Sequence, residues 1–414
     1  MVELEDIFAA YYSCRKNKRN TANALEFELD YEHKCITLWK SINDRTYHPV
    51  KSIAFIVTKP KRREIFAADF SDRVLHHLID LKLRPLLEKE FIDKTFNNRK
   101  GKGTAFGVQC LHDDIREASE NYTKDCWICK MDMQGFFMSI SKSILIRKIR
   151  RFIDERYEGN DKEDLKWLTT IIIGDHPEKH CILKSPPEMW EKLDRNKSLF
   201  GIAPNFGIPI GNLISQLMAN FHLNNFDHFV RQELGFRHYG RYVDDFYIIH
   251  PNKEKILTAI PVIRAKLAEI KITLHPRKFY FQHYSKGVEF IGAVIKKDRI
   301  YVSNRTVNNA FEAVKKLNTI EDVEANAEKF TAIINSYLGF MKHYKTYAIR
   351  RNLIDAIDQK WFKVMYVGKK YFKVIVKKEY KQQTKEKEQI KENCITRKNY
   401  KYGRFIKTTK RKGQ

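Results

Sequence analysis

Two adjacent carboxylates, Asp244 and Asp245, stand inside "HYGRYVDDFYIIHPNKE", between aromatic and β-branched runs that otherwise read as a buried β-hairpin. Successive side chains of a strand point to opposite faces, so two neighbouring aspartates cannot both enter one core. A hairpin turn removes that conflict and lets both face a cleft at the edge of the sheet. There they repel each other unless a cation lies beside them. An aspartate pair alone reads more readily as an Asp-rich turn. The balance changes with Asp132, which ends the strand "CWICKMD". If the two strands are neighbours in one sheet, Asp132 and Asp244 meet at one spot. Carboxylate oxygens without His or Cys companions suit Mg²⁺. Two such ions about 3.5–4 Å apart serve phosphoryl transfer, the arrangement a nucleotidyl transferase needs.

Charge points the same way. The 414 residues carry 77 Lys+Arg against 51 Asp+Glu, a formal net charge of +26. A surplus of that size suits a polyanionic partner, because phosphate contacts supply most nucleic-acid affinity. A hydrophobic share of 43% provides for a real core and argues against general disorder. No apolar run is long enough to cross a bilayer. The opening "MVELEDIFAAYYSCRKNKRN" lacks a secretory layout, so a cytoplasmic protein without a membrane partner is expected. Of seven scattered cysteines only Cys126 and Cys129 form a CxxC. With no second pair at zinc spacing, they read as buried thiols.

Helical, basic sequence runs to about Trp39, and a β-rich piece over "YHPVKSIAFIVTKPKRREIFAADF" follows. "FSDRVLHHLIDLKLRPLLEKEF" reads as a helix capped by Ser71 and kinked or ended at Pro85. "NNRKGKGTAFG" is a basic, glycine-rich loop with Arg99, Lys100 and Lys102 as candidate nucleic-acid contacts. Ile144, Leu145, Ile149, Phe152 and Ile153 share a helical face, and 175–204 reads as a long loop or insertion. After the Asp244 hairpin come a helix through "AIPVIRAKLAEIK", a short hairpin in "GVEFIGAVIKKDRIYV" and further helices to about Tyr366. The lysine-dense remainder reads as a basic tail. Strands alternating with helices in this way make a mixed α/β (α+β) sheet rather than a repeat array.

On these residues the chain resembles the reverse transcriptases. "RYVDDFYII" is similar to their YxDD box and "KMDMQGFFMSI" to their first carboxylate motif. "GIPIGNLISQ" resembles the motif between them, "KPKRREIFAADFSDRV" the fingers motif, and "LHPRKFYFQ" with "GVEFIGAVI" the later palm motifs. The likeness keeps the family's order over roughly residues 50 to 300. It implies a right-hand polymerase fold with fingers, palm and helical thumb. The expected division is 1–125 for an N-terminal extension, fingers and start of palm; 126–300 for the palm; 301–366 for the thumb; and 367–414 for the tail.

By matched position the resemblance implies that Asp132, Asp244 and Asp245 hold two Mg²⁺, with Mn²⁺ as a substitute. Phe137 falls at the steric gate that excludes a ribose 2′-OH. Arg63, helped by Lys59 and Lys61, meets the triphosphate, although Lys61 reads equally as part of a charged surface turn. Lys278 matches a lysine able to protonate pyrophosphate, and reads equally as a basic residue lining the nucleic-acid path. In the turn Pro209-Ile210-Gly211, Ile210 stands where many relatives have Gln, which implies looser base selection, above all opposite template adenine. Gln216, with Ser215, would set the following helix against template or nucleotide; a helix cap or buried hydrogen bond explains them nearly as well.

"IGNLISQ", "RNTANALEFE", "RKGKGT" and "KSLF" are similar to the reverse transcriptases of diversity-generating retroelements. That subgroup implies a template RNA, primer and cDNA, dNTPs and a small basic accessory variability protein as partners, in a prokaryotic or phage setting, with mutagenic retrohoming as the biology. A retron- or intron-type enzyme, or an RNA-binding defence protein on the same fold, stands as the alternative.

Overall fold

The computed structural model describes residues 1–16, 21–59 and 61–381. Three helices open the chain (α1, Leu4–Arg15; α2, Ala22–Glu28; α3, Tyr31–Asn43). A hairpin, β1 (Ile53–Val57) and β2 (Arg63–Ala67), leads into α4 (Phe70–Glu90). Then come α5 (Thr104–Ala118), β3 (Trp127–Met133), α6 (Phe136–Ser139), α7 (Lys142–Arg156) and α8 (Lys162–Gly174). The short β4 (Ile182–Leu183) and α9 (Glu188–Glu191) precede α10 (Leu213–His228). The hairpin β5 (His238–Tyr242) and β6 (Asp245–His250), helix α11 (Lys253–Glu269) and strand β7 (Leu274–His283) complete the first of two compact units, the second starting at Val288.

The first unit is built on a four-stranded antiparallel sheet in the order β5-β6-β3-β7. Period-two alternation decides what each face meets. Tyr239, Arg241 and Phe246 face α10, where the Phe226 and Phe246 rings lie edge to face at 5.5 Å. Tyr247, on the other face, donates to Asp114 of α5 at 2.7 Å. Helix α10 therefore covers one face and α5 part of the other. The buried apolar face of α4, with Val74, Leu75, Leu78 and Ile79, agrees with the helical spacing of the sequence.

The structure corrects or refines four local expectations. Asp69, not Ser71, caps α4: its carboxylate accepts from the Ser71 backbone N–H at 2.9 Å and the hydroxyl at 2.6 Å. The helix also runs through Pro85 to Glu90, because its apolar face continues to Leu87 and burial outweighs one missing hydrogen bond. The 175–204 segment is largely irregular, as expected, but it is anchored. β4 pairs in parallel with β1, and the buried Glu64 of β2 accepts from Trp190 Nε1, Ser198 Oγ and the Leu199 N–H at 2.7, 2.5 and 2.8 Å. Finally, order extends past 367.

The second unit holds a three-stranded antiparallel sheet (β8, Val288–Phe290; β9, Ala293–Lys296; β10, Arg299–Val302) and helices α12 (Asn304–Asn318), α13 (Val323–Met341) and α14 (Tyr347–Asp355). It ends in a ribbon of β11 (Met365–Val367) and β12 (Val374–Val376). Its core is Phe330 against Trp361, ring centroids 3.9 Å apart, with Ile334, Leu338 and Leu353. Val374 and Val376 are buried there, which is why the ribbon folds although lysines surround it. The lysine-rich stretch 382–414 of the expected tail lies outside the described residues. No helix among the described residues is long and apolar enough to cross a membrane.

Candidate active site

The acidic residues come together where β3 and β6 end. Asp132 and Asp245 are cross-strand partners, so their side chains leave the same face of the sheet. Asp244 is the second residue of the two-residue turn Val243–Asp244, and its carbonyl accepts from the Met133 N–H at 3.1 Å. The cross-strand partner of Asp132 is thus Asp245, with Asp244 held at the strand end by backbone. Val243 has φ 56°, a left-handed conformation that is a genuine outlier for a β-branched residue and costs roughly 1–3 kcal/mol. Glycine or asparagine is the usual choice at that turn position.

Electrostatics mark the cluster as short of positive charge. Burial, then the neighbouring Asp132 and Asp245, push the Asp244 carboxyl up to about 6. Burial also raises Asp245; Asp132 adds to that, while Lys130, Lys278 and Lys61 oppose it. Asp132 is 8% exposed and accepts from Lys278 Nζ at 2.7 Å. Oxygen-only ligands that repel one another when ionised fit a hard divalent cation. Among the described residues, the group whose ligand atoms all lie within 4.8 Å of one another is a different one, Asp114, Glu117 and His238. It is already bonded internally: Asp114 accepts from Lys94 (2.5 Å) and Tyr247 (2.7 Å) and contacts His238 (3.0 Å), and Glu117 pairs with Arg237. This knot braces α5 against β5 and β6.

The nucleotide-side candidates frame the carboxylates. Arg63, exposed at the start of β2, lies close enough to Asp244 and Tyr242 to stabilise their ionised forms, and Lys61 does the same for Asp245. Lys59 is exposed. Phe137, half-buried in α6, follows Gly135, which turns the chain after β3 at φ 54°. The 207–211 turn joins these pieces: the Ile208 N–H donates to the Phe137 carbonyl (3.0 Å) and the Phe66 N–H to the Ile210 carbonyl (2.9 Å). Gly211 has φ 122°, and a Cβ there would lie 2.8 Å from the Phe66 oxygen, so only glycine lets the turn approach β2. The Ile210 side chain packs half-buried beside a cluster of Ala54, Phe66, Met138 and Leu199. Gln216 is exposed on the first turns of α10, and Ser215 is buried.

The glycine-rich loop is less available than its composition suggests. The Arg99 guanidinium turns inward to Glu88 (2.7 Å), the Ile92 carbonyl (2.6 Å) and Thr95 Oγ1 (2.7 Å). Lys102 pairs with Asp93 at 2.5 Å, and Lys100 is exposed. Cys126 and Cys129 are buried free thiols whose pKa burial pushes up to about 12.

The sequence reading missed the groups behind the turn. Arg241 and Asp227, both fully buried, form a bidentate pair at 2.7 and 2.6 Å. Asn97 accepts from the Val243 N–H at 3.0 Å. A charged residue flanked by aromatics in "HYGRYV" and a lone acid in the apolar "HLNNFDHF" were the available signals.

A family profile described as "Reverse transcriptase (RNA-dependent DNA polymerase)" matches residues 57–295, more than half of the chain. The chain is also 20% identical over 296 residues to Protein YkfC of Escherichia coli (strain K12), covering 63% of this chain and 70% of that one.

Proposed function

The chain belongs to the reverse transcriptase family and is an RNA-directed DNA polymerase; on that premise we propose that it copies a retroelement RNA into cDNA at the Asp132–Asp244–Asp245 cluster. The observation that carries this reading is the direct cross-strand pairing of Asp132 with Asp245, with Asp244 bonded to the end of the same strand. Two Mg²⁺, or Mn²⁺, held by these three carboxylates would activate the primer 3′-hydroxyl and neutralise charge on the departing pyrophosphate.

The remaining residues bind and orient. Arg63 presents a planar fork to the triphosphate, with Lys59 and Lys61 adding point charges. Phe137 sets its ring where a ribose 2′-hydroxyl would come, and its carbonyl fixes the turn that carries Ile210. With an aliphatic residue in that turn, selection among bases rests on shape rather than on a hydrogen bond. Lys278, resting on Asp132, is placed to pass a proton to pyrophosphate once the carboxylate has another partner. The finer assignment is a diversity-generating retroelement enzyme acting in the cytoplasm, error-prone opposite adenine, with an accessory variability protein as partner. It rests on the motif likeness.

Primer extension on RNA, with and without a candidate accessory protein and followed by product sequencing, tests both levels. Wild-type synthesis that disappears in Asp244→Asn while RNA binding persists is the expected result. Equal loss of both would assign Asp244 to folding. Products without adenine-directed errors would remove the subgroup and leave the polymerase.

A further inference from the structure

A β-branched residue in the left-handed region stays there only when its surroundings over-determine it. At Val243 both peptide groups are held by side chains rather than by the hairpin ladder. Its N–H donates to Asn97 Oδ1 at 3.0 Å, and its carbonyl accepts from Arg241 Nη1 at 2.9 Å. Neither holder is free to drift. Arg241 is locked to Asp227, which also accepts from Tyr239 Oη at 2.5 Å. Asn97 lies in a segment that runs parallel to β5: the Arg241 N–H donates to the Lys94 carbonyl and the Phe96 N–H to the Arg241 carbonyl, both at 2.9 Å. Asn220 of α10 closes the ring by donating to the Asn97 carbonyl at 3.0 Å. Asp227 and Arg241 are 0% exposed, Asn220 1% and Asn97 8%.

We infer that Asn97 and Arg241 are positioning residues that hold Val243 in its strained conformation and thereby fix the Asp244 carboxylate against Asp132. Stability alone does not call for this device, since a glycine at 243 would make the same turn without strain and without a clamp. The clamp instead transmits the rigidity of the α10–β5 core to the one catalytic carboxylate that sits on a turn rather than on a strand. Asn97 thus gives the "FNNRKGKG" stretch a role in the chemistry that its basic residues did not explain. The inference rests on the polymerase reading for its effect on rate, and on geometry alone for the clamp.

The test compares Asn97→Ala with Asn97→Asp, which keeps an acceptor oxygen, in the full chain. With Asn97→Ala, kcat on a primed RNA should fall by about 10- to 100-fold, the usual consequence of displacing a reacting group by about 1 Å. Template affinity and melting temperature should stay near wild type, and the Mg²⁺ concentration for half-maximal rate should rise. Asn97→Asp should recover most of the rate. Hydrogen exchange of the 239–246 segment, read without substrate, should quicken in Asn97→Ala and not in Asn97→Asp. A folded Asn97→Ala enzyme with wild-type kcat, unchanged exchange, or equal loss in both variants overturns the inference. If wild type makes no DNA but the exchange pattern holds, the clamp stands and the polymerase reading falls.

Discussion

Replacing Asp244 by Asn should make the protein more stable while removing its activity. The sign follows from the direction of the shift. Unfolded, this carboxyl ionises near its ordinary 3.8; folded, burial and the two neighbouring aspartates hold the proton until about pH 6. Well below pH 3.8 both states keep the proton, and Asp and Asn behave alike. Between about 4 and 6 the unfolded chain releases its proton first, so wild-type stability falls as pH rises. Above 6 the full penalty is present. At about 1.36 kcal/mol per pH unit, the interval from 3.8 to about 6 corresponds to about 3 kcal/mol. That figure is a ceiling, because the Asn amide must also be desolvated. For a chain of this size it amounts to a gain of at most roughly 3–4 °C in Tm. Thermal unfolding in EDTA at pH 4.5 and 7.5 measures it. The variant should lead at pH 7.5, with the lead shrinking at pH 4.5. Mg²⁺ should raise the wild-type Tm and do little for the variant. A variant no more stable than wild type at pH 7.5, or equally advantaged at both pH values, refutes the picture of repelling carboxylates awaiting a cation.

Other outcomes follow from neighbouring residues. Phe137→Ala should admit rNTPs with little effect on dNTP use, read from the ratio of kcat/KM values; an unchanged ratio removes Phe137 from the gate. Ile210→Gln should improve accuracy opposite template adenine, checked by sequencing products. Because Ile210 also packs beside the Phe66 cluster, a small fall in Tm is expected with it. Lys278→Gln should slow synthesis by about 10²-fold with KM little changed. A rate within twofold of wild type would leave Lys278 only the task of neutralising Asp132.

Much of this was legible in the chain. Asp132, Asp244 and Asp245 could be singled out because their charge contradicts the aromatic and β-branched runs around them, and a contradiction of local pattern is visible without coordinates. The helical face of α4 and the strand character of β3 and β6 follow from periodicity. Composition misled at Arg99, where a basic loop residue is consumed by Glu88 and two backbone carbonyls, and in 175–204, where prolines hid the anchoring of Trp190 and Ser198 on Glu64.

The amino-acid order alone picked out which groups could do chemistry, because residue type and local period are one-dimensional properties; the polymerase reading came from the likeness of whole motifs to a known family. Tertiary structure alone decided that Asp245 is the strand partner of Asp132 while Asp244 joins them from the adjoining turn, since strand register is set by pairing across more than a hundred residues. It also decided that Asn97, Arg241 and Asp227 stand behind the turn. Hydrogen bonds between segments this far apart leave no periodic trace in any one of them, so only the folded chain displays the clamp.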